Sequence, residues 1–512
     1  MSLRVSADSR STVARKSARD FSSCGSMSLT PVRLSAGLDQ VFLGPGAQPP
    51  FAQHTLDFSA RGVVELCRLP RVDAKDLEHR AIRRDERPEH LADGRIEHLG
   101  LDIAAQRATQ HLADAPAVES DDPATTFFEL FEDAVRMRLR SDVPVGVSLS
   151  GGLDSTSIMC SMARMWASEN PLWAFAYMSP EFDESRFIED TLIQTQARFV
   201  SVNVDAEALL SQMEKFLWFQ DEPVHTMTAM IGYQIMRLAA ENGVKVMLGG
   251  QGADEYLAGY GSYFQNYWVN LLATEGLPRL QQEVVAYSQI HGGRTHRMMW
   301  DVLQRTLKGK LHGVRPYRAL SRWRRNKEVS EGSWFTPDLI RTLPDEEPLG
   351  EQTLDDALRF SIERANLPLY LRIEDRNSMA HSVEARLPFM DYRLISYVSR
   401  LPGSWKLRGP WTKYILREAM RGKIPESVRM RPDKMGFPFP ANKWLFKGLS
   451  KLLLNLLETQ AARERGIYNI PFIRADLEKR QSANASIPID AFNIVQFEIW
   501  CRLAGEHRTK SL

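Results

Sequence analysis

Two hydrophobic patterns alternate through the middle of the chain. Short runs of apolar residues predict strands, and apolar residues at every third or fourth position predict helices. The predicted strands cover 144–149, 172–178, about 200–204 and 244–248. The predicted helices cover about 127–139, 158–166, 186–197 and 229–241. Apolar strands that alternate with helices are typical of an α/β fold, in which helices cover both faces of a parallel sheet.

The two ends of the chain differ from this middle part. Residues 1–122 show no sustained period and contain charged stretches with few β-branched residues, so we expect a poorly ordered or truncated region. Asp122 and Pro123 predict the start of the ordered part, because aspartate often caps a helix and proline suits its first position. Residues 123–512 are expected to form the functional domain, in which 262–370 begin an additional, mostly helical C-terminal part.

The composition narrows the classes of function. With 65 lysines and arginines against 64 aspartates and glutamates, the net charge of +1 does not favour a nucleic-acid partner. We interpret the basic cluster at 315–325 as a solvated helix face. No apolar run reaches about 18 residues, so we expect no membrane span. The four scattered cysteines fit a reducing compartment, and we expect a cytoplasmic protein.

The most informative segment is SLSGGLDS, in which a predicted strand runs through a glycine turn into a helix. Gly151 and Gly152 leave backbone N–H groups open to an anion, and Ser150 and Ser155 add hydroxyl donors. Asp154 stands where a magnesium ion that bridges phosphates would need a carboxylate. The alternative is an ordinary turn with Asp154 as a helix cap. Because a cap does not need two adjacent glycines, the pattern favours a phosphate site.

A second glycine turn, GGQGADE at 249–255, follows the predicted strand 244–248. In parallel sheets ligands bind beyond the carboxyl ends of the strands, and both turns lie at such ends. We therefore expect the two turns to face one site, where Asp154 and Asp254 could bind one magnesium ion together. Taken alone, the second turn is equally consistent with a helix cap and surface acids.

Several segments resemble a known family. The chain has no GxxxxGK[ST] motif, so the glycine turn is not the usual loop of enzymes that transfer a γ-phosphoryl group. The SGGLDS segment resembles the pyrophosphate loop of the N-type ATP pyrophosphatases. Four segments resemble the synthetase domain of the glutamine-hydrolysing asparagine synthases, and the match covers roughly 125–505. They are GADE at 252–255, EDRNSMAHSVEARLPFMD at 374–391, TKYILR at 412–417 and RPDKMGF at 431–437.

The resemblance implies an adenine nucleotide α-hydrolase-like fold and a two-step ligation that uses ATP and Mg²⁺. A carboxylate attacks the α-phosphorus of ATP to give an acyl-adenylate and pyrophosphate, and an amine then displaces AMP to form an amide. In asparagine synthases the carboxylate is the β-carboxylate of aspartate and the amine is ammonia. The expected partners are small molecules, and a separate glutaminase and a homodimer are left open.

The resemblance also implies which residues bind the nucleotide and the metal. The expected pyrophosphate ligands are Ser150, Gly151, Gly152, Asp154 and Ser155. The residues expected near the adenine and ribose are Ser148, Tyr177 and Gly249 or Gly250. Asp154 and Asp254 are the expected magnesium ligands.

The resemblance also implies roles in catalysis or substrate binding for three further residues of the motifs. Lys434 resembles the family's catalytic lysine. A fixed ammonium suits the charge that develops on the α-phosphate and on the tetrahedral intermediate. The alternative for Lys434 is a surface lysine. Glu384 and Arg386 either shape the acceptor pocket or the pyrophosphate exit, or form a buried ion pair.

The chain departs from the family at two places. Gln251 stands where asparagine synthases usually carry glutamate, and glutamine cannot act as a general base. Either another group removes the proton, with Glu255 nearest in sequence, or the chemistry is altered. These synthases also usually begin with a glutaminase whose cysteine follows the initiator methionine. Here residue 2 is Ser2, and 1–122 do not resemble a glutaminase, so we expect the nitrogen to come from free ammonia or another source.

Two other functions remain open. Lasso-peptide and β-lactam synthetases resemble the same family and take the amine from the substrate itself, so they need no glutaminase. The chain could instead be an inactive scaffold that binds nucleotide. The presence of Asp154, Asp254 and Lys434 together argues against a scaffold, whereas Gln251 argues mildly for it.

Overall fold

The computed structural model describes residues 122–167, 170–179, 183–311, 332–342, 353–433 and 446–510. Three of the sequence predictions lie outside these residues. They concern the region 1–121, the basic cluster 315–325 and Lys434.

A five-stranded parallel sheet lies at the centre of the fold. Its strands are β1 (Val145–Ser148), β2 (Trp173–Tyr177), β3 (Arg198–Val202), β4 (Val246–Leu248) and β5 (Glu384–Arg386). The order across the sheet is β3-β2-β1-β4-β5, and every neighbouring pair is parallel. The central strand β1 sets Val147 opposite both Ala174 and Leu248. The predicted α/β class with a parallel sheet is therefore confirmed.

Helices precede, connect and follow the strands. Before β5 they are α1 (Pro123–Arg138), α2 (Leu153–Met165), α3 (Ser185–Thr195), α4 (Ala206–Gln220), α5 (Thr228–Glu241), α6 (Ala253–Tyr256), α7 (Tyr263–Thr274), α8 (Gly276–His291), α9 (Thr295–Leu311), α10 (Pro337–Thr342), α11 (Leu354–Glu363) and α12 (Asn366–Met379). After β5 they are a 3₁₀ turn (Pro388–Met390), α13 (Tyr392–Ser399), α14 (Gly403–Lys406), α15 (Tyr414–Ala419), α16 (Glu426–Arg429), α17 (Phe446–Leu457), α18 (Gln460–Arg465), α19 (Ile470–Ser482) and α20 (Ile489–Lys510). The predicted helical C-terminal part is present.

The first helix begins as its sequence predicts. The Asp122 carboxylate accepts hydrogen bonds from the backbone N–H groups of Ala124 and Thr125, at 3.2 and 3.3 Å, and Pro123 occupies the first turn. These bonds satisfy N–H groups that have no partner within a helix. Helix α1 therefore begins with the cap that Asp122 and Pro123 predict, while the domain boundary at this point stays a prediction.

Helix α4 and strand β5 are among the elements that were not predicted. Helix α4 was missed, although its buried residues Leu209, Met213 and Phe216 repeat at helical spacing. Strand β5 was missed because its sequence, Glu-Ala-Arg, lacks the apolar run that marks the inner strands. A short polar strand is typical of a sheet edge, where β5 lies.

Two apolar clusters support the fold. In the larger one, Phe131 of α1 and Ile158 of α2 pack with Val147 and Leu248 of the sheet. In the smaller one, helices α7, α8, α9 and α11 pack around buried residues that include Phe264. Within the described part of the chain no helix is long and apolar enough to cross a membrane.

Candidate active site

The first glycine turn connects β1 to α2 in a conformation that requires glycine. The backbone N–H of Leu149 still donates to the Phe175 carbonyl at 2.8 Å, as if it continued the sheet. Gly151 then turns with a φ of +68°, which other residues rarely adopt. A Cβ added at Gly151 would also lie 3.1 Å from the Cβ of Phe187. The chain therefore bends sharply and runs directly into the N-terminus of a helix.

The two serines of this turn contact each other. The Ser155 hydroxyl oxygen accepts a hydrogen bond from the Ser150 N–H at 3.2 Å and lies 3.2 Å from the Ser150 hydroxyl. It also lies 3.3 Å from the Gly152 carbonyl, to which it donates. The hydroxyls predicted to bind phosphate thus lie beside the N-terminus of α2, where the helix dipole attracts anions.

The second glycine turn packs directly against the first. Gly249 continues the sheet, because its N–H donates to the Arg386 carbonyl at 3.0 Å. A Cβ added at Gly250 would lie 3.0 Å from the Cβ of Asp154 and 3.6 Å from the backbone nitrogen of Ser155. A side chain at Gly250 would therefore press on Asp154, and the prediction that both turns face one site is compatible with this contact.

The carboxylates of Asp154 and Asp254 meet at a buried lysine. The Lys413 ammonium forms ion pairs with Asp154 Oδ2 and, at 2.7 Å, with Asp254 Oδ1. The Lys413 side chain is 5% exposed. A Cβ added at Gly259 would overlap Asp254 Oδ1 and approach Lys413 Cε to 2.3 Å, so this glycine leaves the space that the ion pair occupies.

Lys413 remains charged in this buried position. Burial lowers the pKa of Lys413, but the attraction of Asp154 and Asp254 outweighs it, and the net shift is upward. Arg417 adds a second cation close to Asp154. Burial lowers the pKa of Arg417 to about 10, and the attraction of Asp154 partly opposes that shift. Lys413 therefore balances charge at both carboxylates, and Arg417 adds attraction at Asp154.

The carboxylate pair fits a magnesium ion. Because Asp154 and Asp254 both contact one ammonium nitrogen, they are close enough to share one divalent cation. Among the described residues no group of three or more His, Cys, Asp and Glu side chains could hold a metal. A pair of carboxylates, completed by phosphate oxygens and water, is the usual protein contribution to a Mg²⁺ site.

The two candidate proton-transfer residues lie in and after the second turn. Gln251 is partly exposed in the turn itself. Glu255 is 2% exposed and accepts a hydrogen bond from the Tyr260 hydroxyl at 2.6 Å. Burial, together with the nearby charges of Glu255 and Asp254, raises the pKa of Tyr260 well above its usual value, so Tyr260 stays a donor. The role of Glu255 as a base stays a prediction.

The residues predicted to lie near adenine and ribose end two neighbouring strands. Ser148 is the last residue of β1 and Tyr177 is the last residue of β2. Ser148 is opposite Phe175, and Tyr177 is opposite Val202 in β3. Their place at the carboxyl edge is compatible with the predicted contacts, which remain a prediction.

Glu384 and Arg386 form an ion pair on the edge strand. Arg386 Nε donates to Glu384 Oε1 at 2.8 Å, and this hydrogen bond lowers the pKa of Glu384. Arg386 also donates to the carbonyls of Arg138 and Arg140 at 2.8 and 2.7 Å. The Glu384 side chain is 60% exposed, so the pair is not buried. A role of these residues in substrate binding stays a prediction.

Three residues of the site had no predicted role although they lie in motifs of the sequence. Lys413 is one. Glu374 is the second: burial raises its pKa to about 7, and its Oε1 lies 3.2 Å from where a Cβ of Gly249 would be. Arg431 is the third: its guanidinium donates to the Gly151 carbonyl at 3.4 Å and pairs with Glu184. Their places in the quoted motifs could have marked them as candidate site residues, but the residues that they contact are distant in sequence.

The comparisons with known proteins agree on one family. The family model described as asparagine synthase matches residues 126–502. A putative glutamine-hydrolyzing asparagine synthetase of Mycobacterium tuberculosis is 27% identical over 449 residues, which cover 84% of this chain and 65% of the relative. Glutamine-hydrolyzing asparagine synthetase 1 of Bacillus subtilis is 25% identical over 391 residues, 73% of this chain and 58% of the relative.

A relative with a different name also matches. The amidase chyE of Penicillium rubens is 25% identical over 390 residues, which cover 68% of this chain and 57% of the relative. The chain thus spans 65% or less of the length of these three relatives. Because the family model covers most of the chain, including both glycine turns and Lys413, the chain belongs to the asparagine synthase family.

Proposed function

We propose that the protein is an ATP-dependent, AMP-forming ligase that joins a carboxylic acid to an amine as an amide. The carboxylate oxygen bonds to the α-phosphorus of ATP as the bond to pyrophosphate breaks. The amine nitrogen then bonds to the acyl carbon as AMP leaves, and the nitrogen loses a proton. The first acid to test is aspartate and the first amine is ammonia.

The observation that carries this proposal is the direct packing of two glycine turns around one carboxylate pair. The turn at Gly151 presents a helix N-terminus and two hydroxyls, which suit a phosphate chain. Asp154 and Asp254 already share one cation, which suits a divalent metal. Membership of the asparagine synthase family favours cleavage at the α-phosphorus over γ-phosphoryl transfer.

Each group of residues has a distinct part in the proposal. Asp154 and Asp254 would hold Mg²⁺, which neutralises phosphate charge when it is bound. Ser150, Ser155 and the glycine turn would bind the pyrophosphate. Lys434 would stabilise charge at the α-phosphate. Since Gln251 cannot accept the proton, Glu255 is the proposed base.

The proposal is tested by exchange of labelled pyrophosphate into ATP, with candidate acids added singly. Exchange that depends on aspartate supports an asparagine synthase-type reaction. Exchange only with a peptide or a β-amino acid supports the alternative of a lactam-forming synthetase. If ATP binds but no acid supports exchange, the ligase proposal fails and the scaffold is favoured.

The nitrogen source is tested in the same preparation. With the acid that supports exchange, we expect ammonium to yield an amide and glutamine alone to yield none. Addition of a separate glutaminase should then restore the use of glutamine. Amide formation from glutamine by this chain alone would contradict the proposal of an external nitrogen source.

A further inference from the structure

The ammonium of Lys413 contacts both of the carboxylates that are proposed to share a metal. Its ammonium contacts one oxygen of each carboxylate, and its side chain is 5% exposed. Water therefore has little access to this contact from the lysine side. The same two carboxylates cannot hold the ammonium and a magnesium ion at one point, because two cations so close repel each other strongly.

We propose that Lys413 is an internal counter-ion that holds the carboxylate pair in the metal-free protein and gives way to the divalent cation. This inference rests on the proposed magnesium–ATP site and gives a role to a residue of that site that had none. Asp154 and Asp254 would then hold the divalent cation, and the Lys413 ammonium would move away from them. Lys413 is the residue that precedes α15, so its backbone would stay beside the site and its charge would become available to an anion.

Two features of the structure indicate that the fold holds Lys413 at the carboxylates. Its φ of +51° lies in the left-handed region, which is uncommon for residues other than glycine. Gly259 lacks the Cβ that would overlap Asp254 and approach Lys413. One segment thus adopts an uncommon backbone conformation at Lys413, and a second lacks a side chain where the lysine meets Asp254, which is more than a surface ion pair requires.

The test is the affinity of the full chain for Mn²⁺ without nucleotide, measured from free Mn²⁺ by electron paramagnetic resonance. Mn²⁺ suits the same oxygen ligands as Mg²⁺. Lys413→Met removes the competing ammonium, so we expect binding about tenfold tighter or better than in the wild type, a change typical of close charge pairs. Mn²⁺ should also raise the melting temperature of this variant more than that of the wild type.

The matched control is Lys406→Met. Lys406 is also a buried lysine, but its ammonium donates to the Leu401 carbonyl at 2.8 Å and its ion pair, at 3.8 Å, is with Asp355. We expect Mn²⁺ affinity to stay at the wild-type value in this variant. If Lys413→Met binds Mn²⁺ no more tightly than wild type and Lys406→Met, the inference is overturned.

A second measurement uses the wild type and does not depend on the folding of a variant. Acylation of Lys413 by an amine-reactive reagent, followed by mass spectrometry, should be slow without metal and faster with Mn²⁺ alone. Equal rates would overturn the inference. Neither measurement involves an acid substrate. If the Mn²⁺ results are as expected but no acid supports exchange, only the ligase proposal fails. If exchange occurs but the Mn²⁺ results are not as expected, only the counter-ion proposal fails.

Discussion

Two ion-paired groups near the carboxyl edge and the side edge of the sheet differ in their exposure to water. The buried Lys413 pairs with the partly buried Asp154 and Asp254, which follow β1 and β4, whereas Glu384 pairs with Arg386 on the edge strand with 60% of its side chain exposed. Exposed pairs contribute about 0–1 kcal/mol, because water and salt screen them. Breaking a buried pair by removing one partner costs about 3–5 kcal/mol. Similar chemical groups are therefore expected to have very different consequences.

The largest effect is expected when the buried group loses one carboxylate. Asp154→Asn should lower the rate of pyrophosphate exchange by ~10²–10³-fold. A neutral amide does not balance the charge of the metal ion, so the charge that develops in the transition state is less well stabilised. The measurement is the exchange rate at saturating Mg²⁺. The control is Asp338→Asn, which changes an exposed aspartate paired with Arg341 and should leave exchange intact. Undiminished exchange in Asp154→Asn would remove this residue from the metal site.

The second effect tests whether the buried group needs its space. Gly259→Ala would place a methyl group onto the Asp254 carboxylate, so the ion pair must shift. We expect exchange to fall by roughly 10²-fold, since small displacements in a site are costly. Gly505→Ala is the control, because a Cβ there meets no atom within 4 Å. Equal exchange in both variants would show that the group tolerates displacement.

The third effect extends the comparison to Glu374, for which burial raises the pKa to about 7 from 4.5. Between these values the folded protein binds a proton that the unfolded chain releases, so this residue makes stability fall as pH rises from about 4.5 to 7. Glu374→Gln should remove this pH-dependent loss in the free energy of unfolding, which is on the order of 1–3 kcal/mol. Urea unfolding at pH 5 and pH 8 measures it. The same pH slope in both proteins would contradict the assignment.

The smallest effect is expected at the exposed pair. Glu384→Gln should lower the free energy of unfolding by less than about 1 kcal/mol, measured by urea unfolding at low and high salt. The KM for the acid separates the two interpretations of this residue. A several-fold rise in KM would place Glu384 in the acceptor pocket and not only in an edge ion pair.

Much of the fold can be predicted from local patterns. The inner strands are apolar except for Ser148 at the end of β1, and Asp122 with Pro123 is a cap that neighbouring residues predict. The glycine turn at Gly151 was also predictable, because its need for glycine comes from the local backbone angle. Strand β5 was not, since a short edge strand carries too few apolar residues to mark it.

The charge pattern of the site was decided by the tertiary structure. The sequence places Asp154 and Asp254 after strands, and the rule that ligands bind at carboxyl ends brings them to one edge. Nothing local pairs either of them with Lys413, which follows after many intervening helices. Ion pairing depends on distance and burial in space, and the sequence records neither for residues so far apart. The chain alone therefore specified the turns and the acids, and only folding showed which cation they share.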